Sequence, residues 1–268
     1  MDFRILLIGD IVGAPGRRAV QVALPKLVER HGIHFVIANG ENAAGGSGIT
    51  PEIADELFAY GVDCITTGDH VCRQKEIVPR LETDNRILRP ANYPESASGK
   101  GYALVTAGNG VKVGVVNLLG RIFMQPINCP FQAATDTIGE LSLDTNVIIV
   151  DMHAEATSEK VAMGWFLDGK VSAVIGTHTH IQTADERVLP GGTAYITDVG
   201  MTGPYESVIG RVKEKVIAAL TTAMPRHFDV AEGDARLGGA LVTVDPVTGR
   251  AQGIERVMEP VAPAENLS

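Results

Sequence analysis

The chain has 268 residues, enough for one large domain or two small ones with a substantial core. Apolar residues make up 45%, charged residues 21% and aromatics only 5%, with 30 glycines, which marks an ordered, turn-rich, aliphatic protein. Lys plus Arg number 23 against 32 for Asp plus Glu, a net charge of −9, which argues against a broad basic surface and stable nucleic-acid binding. A small phosphorylated substrate stays compatible if something reverses the sign locally.

The elements alternate along the chain. Phe3–Ile8 reads as a buried strand and Arg17–Arg30 as a helix that Pro25 should kink or divide. Phe35–Ala38 is the next strand, followed by the clearest helix, Pro51–Tyr60, with Thr50 as N-cap, Pro51 at its first position and Gly61 just past its end. Further strands are expected at Cys64–Thr67, Lys112–Leu118, Val147–Val150, Ala173–Ile175 and Ala194–Thr197, with helices at Glu155–Leu167 and Glu206–Met224. Such alternation indicates an α/β protein. Ala240–Val244 and Gln252–Val257, around Asp245-Pro246-Val247-Thr248-Gly249, predict a terminal hairpin at a sheet edge, and residues 259–268 a Pro- and Ala-rich tail. No repeat or linker divides the chain, so one domain over residues 1–268 is expected.

The longest apolar run, Val216–Leu220, is far short of the roughly 20 residues that span a bilayer. No membrane association is expected. Met1-Asp2-Phe3-Arg4 enters a strand without a basic segment or cleavage site, which makes the cytoplasm the expected location. Cys64, Cys72 and Cys129 are odd in number and lack C-x-x-C spacing, so they indicate neither a disulfide framework nor a thiolate zinc site.

The residues just beyond the strands carry the chemistry. Gly9-Asp10 comes after the first, Asn39-Gly40-Glu41-Asn42 after the second and Gly68-Asp69-His70 after the third. Asp151-Met152-His153-Ala154-Glu155 and Gly176-Thr177-His178-Thr179-His180 come after two more. Carboxyl ends of strands in an open α/β sheet line the ligand crevice, so these residues can converge there. His178 and His180, two apart, would present both rings on one side of an extended backbone. Each motif alone has a bland reading as a turn, a helix cap or a satisfied buried histidine. Their joint placement at five strand ends is harder to attribute to accident. Carboxylates, an amide and imidazoles suit Mn, Fe or Zn, and their number exceeds the needs of one ion. A two-metal cluster bridged by a carboxylate fits this inventory, a device used for in-line attack on phosphorus. Asp151 and Glu155 are candidates to orient His153.

In this order the residues resemble the calcineurin-like metallophosphoesterases, in their YmdB-type branch. The motifs that carry the resemblance are Gly9–Arg17, Asn39–Ala43, Asp151–Glu155, Gly176–His180 and Thr197–Pro204, within a match from about residue 4 to 258. The resemblance implies a four-layer αββα sandwich with the metal site at the carboxyl ends of the strands. It also implies phosphodiesterase activity on small phosphodiesters such as 2′,3′-cyclic nucleotides. Two divalent ions are implied, iron or manganese first and zinc or magnesium as alternatives. Position by position, Asp10, Glu41, Asn42 and His180 would serve one ion, with Glu41 bridging to a second completed by Asp69, His153 and His178. His70 would not ligate but would protonate the departing ribose oxygen.

One departure concerns Asp69, where the family pattern has Asn. Asp10, Glu41 and Asp69 set −3 against +4 from two divalent ions, leaving +1 where an Asn would leave +2. The extra carboxylate should hold metal more tightly and polarise phosphate less. Arg17 and Arg18, after Gly16, could face a second phosphate or merely solvate their helix, and Thr197–Pro204 reads as a rim loop of the crevice. A phosphomonoesterase or protein phosphatase with the same centre is the nearest rival, and a weakly active metal-binding regulatory protein the reading from another class. Dinucleotide binding fits less well, because Gly9-Asp10-Ile11-Val12-Gly13 does not supply G-x-G-x-x-G. The association state, including a homo-oligomer, stays open.

Overall fold

In the computed structural model, residues 2–262 are described. The amino-terminal half contains β1 (Phe3–Ile8), β2 (Asp10–Ile11), α1 (Gly13–His31), β3 (Phe35–Asn39), α2 (Pro51–Ala59), β4 (Cys64–Thr66) and α3 (Val78–Thr83). Next come β5 (Tyr102–Thr106), β6 (Lys112–Leu119), α4 (Pro130–Leu141), β7 (Ile148–His153), α5 (Thr157–Phe166) and β8 (Ala173–Thr177). The chain continues through β9 (Arg187–Val188), β10 (Ala194–Ile196), β11 (Met201–Pro204), α6 (Lys213–Thr222), β12 (Ala235–Val244) and β13 (Ala251–Pro260).

Two sheets result. One has the order β2-β11-β12-β1-β3-β4, with β13 also paired to β12, and the other the order β5-β6-β7-β8-β10-β9. β1, β3 and β4 run parallel, as do β6, β7, β8 and β10, so each sheet gathers its carboxyl-terminal strand ends along one edge. The apolar residues sort by strand periodicity. Ile5, Leu7, Phe35 and Ile37 of the first sheet pack against Val113, Val115, Ile149 and Ile175 of the second in a core between the sheets. Leu6, Ile8 and Val36 face the other way, onto Val20, Leu24 and Leu57 of α1 and α2. On the far side, Val116, Leu118 and Val150 pack onto Ala134, Ile138 and Met163 of α4 and α5. The layers are therefore helix, sheet, sheet, helix, and strands covered on both faces explain the nearly unbroken aliphatic runs in the sequence. Among the described residues no helix is long and apolar enough to cross a membrane.

Several expectations are corrected. α1 runs undivided from Gly13 to His31 through Pro25, which lies exposed, so the carbonyl freed from its usual partner can meet water. The carboxyl-terminal hairpin is not wholly at an edge. β12 is interior, joined to β13 on one side and to β1 and β11 elsewhere, which no local pattern announces. The helix expected over Glu206–Met224 is only Lys213–Thr222, and Thr197–Pro204 is not a rim loop, because its second half is the buried strand β11. Of the expected tail, Glu259 and Pro260 end β13, and residues 263–268 lie outside the described part.

Candidate metal centre

The eight singled-out residues are brought to one place by both sheets. Asp10 lies in β2 just beyond β1, Glu41 and Asn42 follow β3, and Asp69 and His70 follow β4. From the other sheet, His153 ends β7, and His178 and His180 follow β8. Gly68 is required by this crowding: a Cβ there would lie 2.2 Å from His153 Cδ2 and 2.3 Å from Glu41 Oε2.

Two groups share Glu41. In the first, His153 Nε2 is 3.2 Å from Glu41 Oε1, 3.6 Å from Asp69 Oδ1 and 3.0 Å from His178 Nδ1, with His178 Nδ1 3.8 Å from Asp69 Oδ1. One donor atom from each of these four residues falls within 4.8 Å of the others. In the second, His180 Nε2 is 3.7 Å from Asp10 Oδ1 and 3.3 Å from Asn42 Nδ2, which donates to Glu41 Oε1 at 3.1 Å. Asp10, Glu41 and His153 are completely or almost completely buried. Among the described residues, Asp10 Oδ1 and Asp69 Oδ1 are shielded from water and have no hydrogen-bond partner. Orphaned carboxylate oxygens are costly unless a cation meets them, and the donor set of carboxylates, imidazoles and an amide fits divalent metal.

The titrations point the same way. Burial opposes charge on His153, but Glu41, Asp69 and Asp10 outweigh it and hold its pKa well above the usual value, so the site favours a positive charge at this point. Burial likewise opposes ionisation of Asp69, yet His153, His70 and His178 keep its carboxyl well below the usual range. Asp10 is pushed up to about 6, mainly by burial. Burial and the neighbouring His153 lower His178 to about 4, leaving a neutral ring with a lone pair to offer.

The rings are oriented from behind. Thr177 Oγ1 donates to Asp151 Oδ1 at 2.7 Å, so it accepts from His153 Nδ1 at 2.8 Å and turns Nε2 toward the carboxylates. Asp151 therefore acts on His153 through Thr177. Glu155 does not contact His153; its Oε2 lies 3.2 Å from His178 Nε2. His180 Nδ1 donates to the Ile209 carbonyl at 3.0 Å. His178 and His180 are not on extended backbone: their φ values are 97° and 66°, and this left-handed path sends one ring to each group of ligands. Thr179 between them is tied to Asp198 Oδ2 by its N–H at 3.0 Å and its hydroxyl at 2.7 Å. The same oxygen accepts from Lys160 Nζ at 2.7 Å in a fully buried ion pair. Sequence reasoning missed Thr177, Lys160 and Asp198, although Asp198 follows a buried strand as the other acids do.

His70 is half-buried and stands beside the cluster. Its Nδ1 donates to Asn42 Oδ1 at 2.8 Å, and its Nε2 is 3.7 Å from Asp69 Oδ2. Arg17 and Arg18 do not face the cleft. Arg17 binds Glu56 and the Ala43 carbonyl, and Arg18 the Ala262 carbonyl. The cleft over the cluster, about 300 Å³, is lined by Glu41, Asn42, His70, His178, His180 and Arg211 among others.

The family model for YmdB-like proteins matches residues 6–257. The chain belongs to that family. A Bacillus subtilis (strain 168) relative named 2′,3′-cyclic-nucleotide 2′-phosphodiesterase is 49% identical over 255 residues, covering 95% of this chain and 96% of the relative. A crystal structure of a hypothetical protein from Thermus thermophilus superposes with a TM-score of 0.90 at 41% identity, over 96% of this chain and 99% of that one. A Mycoplasma pneumoniae structure described as a novel phosphatase gives a TM-score of 0.90 at 34% identity, over 97% of this chain and 94% of that one. The YmdB-like sandwich thus accounts for both sheets and their packed helices.

Proposed function

We propose that this protein is a metal-dependent phosphodiesterase that opens 2′,3′-cyclic nucleotides at the 2′ bond. The observation that carries the reading is the pair of ligand groups sharing Glu41, with unpartnered carboxylate oxygens at Asp10 and Asp69. Asp10, Glu41, Asn42 and His180 would hold one ion, and Glu41, Asp69, His153 and His178 the second. Iron or manganese suits this mixture of oxygen and imidazole donors, with zinc or magnesium as substitutes. When bound, two such ions supply Lewis-acid charge against the phosphodiester and lower the pKa of water at the site. His70, its ring held through Nδ1 by Asn42, presents Nε2 as the nitrogen that gives a proton to the departing ribose oxygen. A cleft of about 300 Å³ can seat a small phosphodiester, and a phosphomonoesterase or protein phosphatase with the same centre is the second reading.

The test is hydrolysis of a chromogenic phosphodiester and of 2′,3′-cyclic AMP by metal-stripped protein titrated with Mn²⁺, beside a His178→Ala variant. Restoration of both activities in the wild type alone is expected. Bound metal without turnover would instead favour the regulatory reading.

A further inference from the structure

Among the described residues, Arg211 is the one Lys or Arg lining the cleft, and its surroundings differ from those of the other arginines near the site. Nη1 donates to the Phe228 carbonyl at 3.1 Å and the Gly45 carbonyl at 3.4 Å, while Nη2 donates to the Gly46 carbonyl. A Cβ on Gly46 would lie 2.5 Å from Nη1, so the glycine at this point makes room for the guanidinium. Three of its five N–H donors are thereby used, and Nε–H and one on Nη2 meet no acceptor among the described residues. Nor does any carboxylate of the described residues come within 4.0 Å of it, whereas Arg17 pairs with Glu56. The guanidinium is half-buried and immobilised by neutral carbonyls, and Asp229 acts on it only from a distance, being itself paired with Lys215. Arg211 is anchored to the metal cluster through Ile209, whose carbonyl receives His180 Nδ1.

An arginine prepared in this way recognises an oxyanion. The guanidinium makes no ion pair with Asp10, Glu41 or Asp69, the proposed metal-holding acids, although Glu41 lines the same cleft. From this placement we infer that Arg211 binds a second phosphate, carried on the 5′ side of the ribose whose cyclic phosphate lies at the metal cluster. The inference rests on the phosphodiesterase reading above and narrows it to nucleotides with a 5′-phosphate, either a mononucleotide or the 3′-terminal residue of an oligoribonucleotide.

The product side offers a test that needs no turnover. Binding of adenosine 3′,5′-bisphosphate and of 3′-AMP to the metal-loaded protein is compared by calorimetry. One charge-assisted, fork-shaped contact predicts that the bisphosphate binds about tenfold to a hundredfold more tightly. Arg211→Gln should reduce that ratio to about one, and Arg211→Lys, which keeps the charge but not the fork, should leave it in between, with metal content measured in each. A wild-type ratio near one, or a full ratio retained in Arg211→Gln, overturns the assignment, and the first of these does not depend on how any variant folds. In parallel, kcat/KM is compared for 2′,3′-cyclic AMP, its 5′-phosphorylated form and a dinucleotide ending in a 2′,3′-cyclic phosphate. A gain confined to the 5′-phosphorylated mononucleotide identifies a monoester as the second group, and a gain for both extends it to an RNA end. If none is hydrolysed, the phosphodiesterase reading fails while the binding ratio still decides the role of Arg211.

Discussion

His70 and Asp69 are neighbours with separable roles. His70→Ala removes the proposed proton donor without removing a proposed ligand, so turnover of 2′,3′-cyclic AMP should fall by roughly 10²–10⁴ with metal content unchanged. Loss of metal from this variant would make His70 a ligand. Asp69 supplies a carboxylate whose oxygen Oδ1 faces His153 and His178. Asp69→Asn should weaken metal binding yet raise kcat at saturating metal, because the remaining charge polarises phosphate more strongly. A lower kcat under saturation would show that the carboxylate does more than hold the ions. These residues could be read from sequence because each lies immediately after, or at the end of, a buried aliphatic strand. The residues behind them could not, since Thr177 and Asp151 become a relay only when β7 and β8 pair with His153 beside Thr177.

At the scale of elements, α5 is tied to the candidate ligand cluster through Lys160. Lys160 projects from the helix into the interior and meets Asp198, which in turn holds the backbone and hydroxyl of Thr179 between His178 and His180. Lys160→Met leaves a buried carboxylate without its cation, a change that costs about 3–5 kcal/mol. Thermal unfolding should register that loss, and metal affinity measured on the folded fraction should fall with it, because the left-handed loop carrying both imidazoles loses its anchor. Unchanged affinity would separate the ion pair from the site. Gly176 sets a second constraint on the same loop: a Cβ there would lie 1.7 Å from the Thr197 carbonyl oxygen, so only glycine permits the close approach of β8 to the chain after β10. The helix signals of α2 were legible, its Thr50 cap accepting from the Ile53 N–H, because capping is local chemistry. Pro25 misled for a related reason: its cost depends on which face of α1 it occupies, and that face is chosen by packing.

Across the whole molecule, the centre joins the two sheets. Asp10, Glu41 and Asp69 come from one and His153, His178 and His180 from the other, so an ion held by both should bind the folded state only. Saturating metal at about a hundred times its Kd would add about 2.7 kcal/mol of stability, and chelation should therefore lower Tm on the order of 5 °C. An unchanged Tm after complete stripping would mean that the two halves hold their positions without the ions. The overall charge of −9 is reconciled with an anionic substrate by the same centre, where metal and Arg211 would provide a local positive field.

Residue order alone dictated the α/β alternation, the strands of both sheets that carry the site, and the polar residues at their ends, because burial on both faces and local turn chemistry leave direct marks in the chain. The interior place of β12, the burial of β11 and the left-handed turn that parts His178 from His180 were set by long-range packing. Packing also selected the arginine that lines the cleft, Arg211, and left it without an ion pair. Each of these depends on which distant segment supplies a hydrogen bond, a close packing contact or a counter-charge, and that is settled only when the chain closes on itself.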